Sequence, residues 1–296
     1  MTLAIQFLHS HPKNLPKPFS IINLKGSTLK DEPEISINST LLFFPYERID
    51  LFCDFRNIDI GTTYNVTDFS AEDDGATDVF QVRIVKSTKT TPQPIVSIPS
   101  TLNPIKDLRV LWQSTGGRTR NITLQEIPNP DDPECPMTLR ISAGGKVKDF
   151  SKDEYIPCEV GKVEKWNFRN PTEDTHPFHW HLVHAQCGPT EDTPNTNELR
   201  DVFPIPPAQP KGSYKTSQVC YVACTPSHYL IENSTASPTN FGFRVTTPYL
   251  VHCHILEHEE NMMMTWFLPR QVGNIKAMAR NSYPFIDMIK TDDTAV

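Results

Sequence analysis

The sequence predicts an all-β protein of sandwich type, and three observations carry that expectation. Short apolar stretches alternate with turn residues along the chain, at the spacing of strands rather than of βαβ units. Proline is dense, 27 of 296 residues against 12 glycines, and at that density it interrupts long helices. Period-two alternation recurs. In LLFFPYERIDLFCDF (41–55), Ile49, Leu51, Cys53 and Phe55 share one face, while Arg48, Asp50 and Asp54 take the other.

The stretches DVFQVRIVK near residue 80 and VEKWNFRN near residue 165 alternate in the same way. Between them, residues 88–104 carry four prolines and little charge, the composition of a linker. The boundary is placed there, giving a smaller β domain over 1–95, a larger one over 105–270 and a tail over 271–296. A second segment, 188–212, carries six prolines and reads as a loop that breaks the larger domain.

Charge and composition exclude several classes. With 28 basic and 35 acidic residues, the net charge of −7 offers no phosphate-tracking surface, so nucleic acid is not an expected partner. No run of 18 apolar residues is present, so no membrane span is expected. The opening MTLAIQFLHSHPKN has no basic leader and reads as no signal peptide. Seven cysteines is an odd number for a disulfide framework. If one has a separate task, six remain for up to three bridges of open connectivity. Sequons begin at Asn38, Asn65, Asn121 and Asn233. Together with the cysteines they suggest an extracellular glycoprotein.

Histidine placement is the informative feature. Six of the ten histidines fall in two short segments, HPFHWH (His176, His179, His181) and HCHILEH (His252, His254, His258), the second running on into EENMMM. Cys253, His258 and Met263 follow one another at intervals of five. A thiolate, two imidazoles and a weak thioether form the ligand set of a blue-copper electron-transfer site, and His176 supplies the second imidazole. Neighbours on a strand point to opposite faces, so His252 and His254 face away from the side that Cys253 serves. His179 and His181 share a face with each other. The two His-x-His pairs therefore converge on a second metal centre, joined to the first by the main chain around Cys253. Zinc is the rival metal, but a single zinc site leaves too many of these histidines without a task. Neither HILEH nor HEENM is a His-Glu-x-x-His helix.

HPFHWH and HCHILEHEENMMM resemble the two C-terminal copper signatures of the multicopper oxidases, a family of laccases, bilirubin oxidases and spore-coat laccases. FFPYERIDLFCDF resembles a strand of that family's middle domain, with Pro45, Glu47, Arg48, Asp50, Asp54 and Phe55 at matching places. The resemblance implies two cupredoxin-like (plastocyanin-like) Greek-key β-sandwich or barrel domains. It implies that His176, Cys253, His258 and Met263 hold a type 1 copper, that His179 ligates a type 2 copper, and that His181, His252 and His254 bind a type 3 pair. A small-molecule or metal-ion donor, phenol-like or a pigment, would then give up single electrons near the type 1 site. These would pass through Cys253, His252 and His254 to a cluster where dioxygen becomes water, with Glu257 and Glu259 beside the ligands as proton relays.

The family's cluster takes eight histidines, four of them from an N-terminal domain, and this chain supplies four. The remaining histidines are His9, His11, His184 and His228, of which His9 and His11 form a further His-x-His pair. The expectation is that the first domain is missing, through truncation or because a partner chain or domain supplies its motifs. Two readings stay open: an oxygen-reducing oxidoreductase, or a blue-copper binding or electron-transfer module that does not reduce oxygen.

Overall fold

The computed structural model describes residues 2–8, 19–21, 39–41, 44–54, 59–68, 77–86, 105–131, 137–144, 150, 155–190, 199–225, 230 and 248–270, of which 2–8, 19–21, 39–41, 49–54, 67–68 and 77–78 are described by backbone alone. The chain divides into two compact units, Met1–Asn103 and Pro104–Val296.

In the first unit, β1 (Thr2–Leu8), β2 (Phe19–Ile21), β3 (Ser39–Leu41), β4 (Arg48–Asp54), β5 (Thr63–Asp68) and β6 (Thr77–Arg83) form two groups. β1 pairs antiparallel with β4, and the other four make one sheet in the order β3-β2-β5-β6. The stretch 41–55 is not one strand, because a turn at Pro45–Tyr46 interrupts it. The buried Glu47 carboxylate accepts the Phe44 N–H at 2.7 Å, and the Glu47 N–H donates to the Phe44 carbonyl at 3.0 Å. Tyr46 takes φ 65° to close the turn. Arg48 donates to the Tyr46 carbonyl and lies over its ring. Pro45 and Glu47 thus serve a turn that Arg48, the first residue of β4, braces, whereas Asp50 and Asp54 lie further along β4. Phe55 lies outside the described residues.

The second unit opens with a helix, α1 (Leu108–Thr115), where the sequence pattern had suggested only strands. Its signals are local. The Asp107 carboxylate accepts the N–H groups of Arg109 and Val110, and Gly116 ends the helix in the left-handed region at φ 63°. The next residue must be glycine too, since a Cβ on Gly117 would lie 1.7 Å from the Val163 carbonyl oxygen. α1 buries Leu108 against Val163, Val219 and Tyr221. Buried Gln186 fixes its start by accepting the Leu108 N–H at 2.8 Å.

The strands that follow are β7 (Thr119–Pro128), β8 (Met137–Ala143), β9 (Tyr155–Glu159), β10 (Val163–Arg169), β11 (His176–Trp180), β12 (Ala185–Gly188), β13 (Val202–Ile205), β14 (Thr216–Ala223), β15 (Tyr249–Cys253) and β16 (Met264–Arg270), with a short helix α2 (Leu256–Glu260) before the last. They form two five-stranded sheets, β12-β14-β10-β7-β8 and β13-β11-β15-β16-β9. β13 corrects the expectation of a loop throughout 188–212. Pro204 is tolerated there because β13 is an edge strand, where a missing N–H costs no ladder bond.

The larger of the two described buried clusters of the second unit lies between its sheets. Trp166 of β10 packs within 6.0–6.3 Å of Phe178, Trp180 and Phe267, ring centre to ring centre, so it touches two strands of the opposite sheet, β11 and β16. Burying rings of this size makes large-to-small changes here cost about 3–5 kcal/mol. A carboxylate is buried beside them. Glu164 accepts the Trp166 indole N–H at 3.0 Å and a fork from Arg120 at 2.5 and 2.9 Å. Cys158–Cys224 ties β9 to the segment after β14, and Cys187–Cys220 bridges β12 to β14. Cys53 and Cys135 are not described at side-chain level. Among the described residues, no helix is long and apolar enough to cross a membrane.

Candidate metal centre

Two adjacent strands bring the histidine segments together. β11 and β15 pair antiparallel, with Phe178 opposite Cys253 and His179 opposite His252. Residues facing one another on a ladder share a side of the sheet, so these rungs alternate in use. Phe178 and Cys253 turn into the buried core, and His179 and His252 turn to the other face. β15 ends at Cys253, but the ladder's guidance extends one residue further, because the His254 N–H donates to the Pro177 carbonyl at 2.8 Å.

On the core side, Cys253 Sγ lies 3.6 Å from His176 Nδ1 and 3.6 Å from His258 Nδ1, and the two nitrogens are 3.2 Å apart. The point equidistant from all three atoms is about 2.0 Å from each, which falls in the range of metal–imidazole bonds and slightly short of a metal–thiolate bond. The donor set fits a metal ion, since two imidazole nitrogens and one sulfur aim at a common centre.

The loop after Cys253 sets the third and fourth members of this group. α2 carries His258 and ends at Glu260; two residues on, Met262 takes φ 68°, a left-handed conformation that reverses the chain. The Met263 N–H then donates to the His258 carbonyl at 2.8 Å, and the Met263 carbonyl accepts the Cys253 N–H at 3.0 Å. Met263 is wholly buried in the cluster that contains Cys253, whereas Met262 is 47% exposed. Met264 has already joined β16 opposite His252.

A buried hydrogen-bond chain orients His176. The Asn170 amide donates to the carbonyls of Asp174 and Ile205 at 2.6 and 2.9 Å. Its oxygen therefore faces Thr172, accepting the Thr172 N–H at 3.0 Å and the hydroxyl at 2.7 Å. With its proton so committed, the Thr172 hydroxyl accepts from His176 Nε2–H at 2.8 Å. That tautomer leaves His176 Nδ1 bare toward the sulfur.

On the opposite face, His179, His252 and His254 place one nitrogen each within 4.8 Å of one another. His181 Nε2 lies 3.2 Å from His252 Nε2. His179 Nδ1 donates to the Asp201 carbonyl at 2.9 Å and His252 Nδ1 to the Cys253 carbonyl at 3.0 Å, which frees their Nε2 atoms as ligands. Glu259 approaches from the rim, 3.5 Å from His252 Nδ1 and 3.9 Å from His254 Nδ1.

Burial keeps these groups in ligand form. It lowers His176 and His179 to about 3 and His254 to about 4, and it lowers His181 and His258 as well. All five are therefore neutral imidazoles near pH 7. Burial pushes the Cys253 thiol up, opposed by a backbone N–H from Ile255. A metal ion must displace that proton to bind, so affinity rises with pH. Glu126 is pushed up to about 7 by burial and by the charge of Asp174.

All eight residues singled out by spacing thus fall into two clusters, one on each side of the β11–β15 ladder. His184 stands apart from the ligand atoms of both, its carbonyl accepting the Ala223 N–H. His9, His11 and His228 lie outside the described residues. Glu257 serves α2 through its carbonyl, which accepts from Asn261. The sequence reading missed Glu126, Asn170, Thr172, Asp174 and Asp201. The Asn-Pro-Thr turn just before His176 was the available signal for two of them.

A family model described as Multicopper oxidase matches residues 121–221 and 225–272, about half of the chain. The chain belongs to the multicopper oxidase family, whose metal is copper. A multicopper oxidase LPR1 homolog 3 of Oryza sativa subsp. japonica is 26% identical over 181 residues, covering 50% of this chain and 31% of that protein. A laccase of Bacillus subtilis (strain 168) is 31% identical over 119 residues, covering 36% of this chain and 20% of the laccase. The chain spans about a third or less of the length of these curated relatives. The all-β, cupredoxin-like fold is shared with solved structures. A laccase-like multicopper oxidase CueO from Ochrobactrum sp. superposes with TM-score 0.54 at 16% identity, covering 91% of this chain and 56% of that one. A multicopper oxidase from Pediococcus acidilactici gives 0.51 at 18%, covering 92% and 50%.

Proposed function

We propose that the chain carries the type 1 copper site and half of the oxygen-reducing cluster of a multicopper oxidase that couples one-electron oxidation of a donor to reduction of dioxygen to water. The observation that carries this reading is the convergence of Cys253 Sγ with His176 Nδ1 and His258 Nδ1 on one side of a strand whose His252 joins three other imidazoles on the other. Copper held at these atoms supplies one-electron acceptance on the sulfur side and dioxygen reduction on the imidazole side.

The protein's own contribution is connection and protection. Cys253 joins the two sides by main chain, through His252 before it and His254 after it. His176, His258 and Met263 would complete the sulfur side, Met263 through its buried thioether. His179 takes the type 2 role, and His181, His252 and His254 take the type 3 role. Each dioxygen needs four electrons and four protons to give two waters. Glu259, two-thirds buried and within 3.5 Å of His252 Nδ1, is placed to pass protons inward.

The electron donor is a small phenol-like or pigment molecule or a metal ion that approaches the His258 edge, where that side chain keeps 13% exposure. The remaining four imidazoles of an eight-histidine cluster come from a domain or chain bearing two further His-x-His motifs. The two disulfides favour an oxidising, extracellular setting. A second reading, a blue-copper module that does not reduce oxygen, is favoured by the four imidazoles of this chain standing at half of that number. Oxygen uptake by copper-loaded protein with a phenolic donor separates the two: turnover supports the oxidase, and a blue protein without uptake supports the module.

A further inference from the structure

The outer edges of the His176 and His258 rings meet at a residue that neither the ligand pattern nor the strand pattern explains. Glu126 belongs to β7, in the sheet facing the one that carries His176. Its Oε1 lies 3.4 Å from His176 Nε2 and 3.9 Å from His258 Nε2. That oxygen is buried and makes no hydrogen bond, although buried carboxylate oxygens are ordinarily paired. Asp174 Oδ2 stands 3.8 Å from the same His258 nitrogen.

We infer that Glu126 is a positioning residue that braces both outer imidazole nitrogens and, through its negative charge, sets the reduction potential of the metal held at Cys253. The inference rests on the type 1 reading given above. An imidazole bound to a cation through Nδ1 presents a polarised Nε2–H, and a carboxylate facing it makes the ring a stronger donor to the metal. For His176 the nitrogen is shared with Thr172 at 2.8 Å, which fixes the ring's orientation, so the carboxylate is left to act on the site mainly by charge. For His258 no hydrogen bond competes at Nε2 among the described contacts, so Glu126 and Asp174 together define its surroundings. A negative charge this close favours the cupric over the cuprous ion, lowering the potential.

The test is a spectroelectrochemical titration of the copper-loaded chain at pH 8.5, above the value of about 7 at which Glu126 ionises, followed at its blue absorption. Glu126→Gln keeps size and removes charge. The variant is expected to stay blue, and at a fixed poise its ratio of reduced to oxidised copper should rise at least tenfold, equivalent to about 59 mV for one electron. Glu126→Asp keeps the charge one methylene further back and should move the ratio in the same direction by less. A Gln variant that stays blue with a ratio within twofold of wild type overturns the inference while leaving the type 1 reading intact. Should Gln fail to fold, an unshifted Asp variant overturns it equally. A wild-type chain that never turns blue at full copper loading removes the type 1 reading, and this inference with it.

Discussion

His179 lies directly opposite His252 in the β11–β15 ladder, one rung from the pair Phe178 and Cys253. That one-residue offset places imidazoles on one face and the free thiol on the other. A single-residue slip would exchange them. The register is favoured by the buried rungs on the core side, Phe178 opposite Cys253 and Trp180 opposite Val251. Function at this ladder is therefore a consequence of the same alternation that builds the sandwich.

The two faces should be separable by mutation. His252→Gln removes an imidazole from the four-histidine side alone. Copper titrated into this variant should still give the full blue band at the first equivalent, while the further copper taken up by wild type is reduced by at least one equivalent. Loss of the blue band instead would mean that the two sites are not independent.

The thioether proposal distinguishes three adjacent methionines. Met263→Leu should keep the blue colour and raise the potential, because the weak thioether is withdrawn. Met262→Leu should leave the potential unchanged, since Met262 is half-exposed at the chain reversal. A shift in the second variant and not the first would move the assignment.

The buried Glu164–Arg120 pair makes a stability prediction. Arg120→Met strands a carboxylate that is 3% exposed, and breaking such a pair costs about 3–5 kcal/mol. Chemical denaturation of the metal-free protein should register that loss. The colour of whatever folds should be unchanged, because neither residue touches the histidine clusters.

Metal-free stability should fall as the solution is acidified. His176 and His179 titrate at about 3 and His254 at about 4 when folded, against about 6.5 unfolded. The unfolded chain therefore takes up protons first as pH drops below 6.5. Each such group costs up to about 1.4 kcal/mol per pH unit until its folded value is reached. Glu126, raised to about 7, acts in the opposite sense: its contribution is present below about 4.5 and is lost as pH rises to 7. One carboxyl against several histidines leaves a net fall from pH 6.5 to 4, measurable as a decreasing urea midpoint.

What the sequence revealed depended on how local each feature is. Cys253, His258 and Met263 were legible because one loop and one short helix hold all three, so their spacing is the site. The His-x-His pairs were legible because strand alternation puts both rings on one side. Glu126 was not, since it lies 50 positions before His176 on an ordinary strand of the other sheet. Its place at the site depends on how two sheets stack, which no local pattern encodes. α1 was not foreseen although Asp107 and Gly116 cap it by standard chemistry, because proline density argues against long helices and not against one of eight residues. β13 was hidden by Pro204, whose exclusion from strands lapses at a sheet edge.

The most direct check on the central claim is the absorption and electron paramagnetic resonance of copper-loaded wild type beside Cys253→Ser. The account predicts an intense blue band with small copper hyperfine splitting in wild type, both absent from the serine variant, which still binds copper through its remaining imidazoles. A blue signal that survives in Cys253→Ser would contradict it.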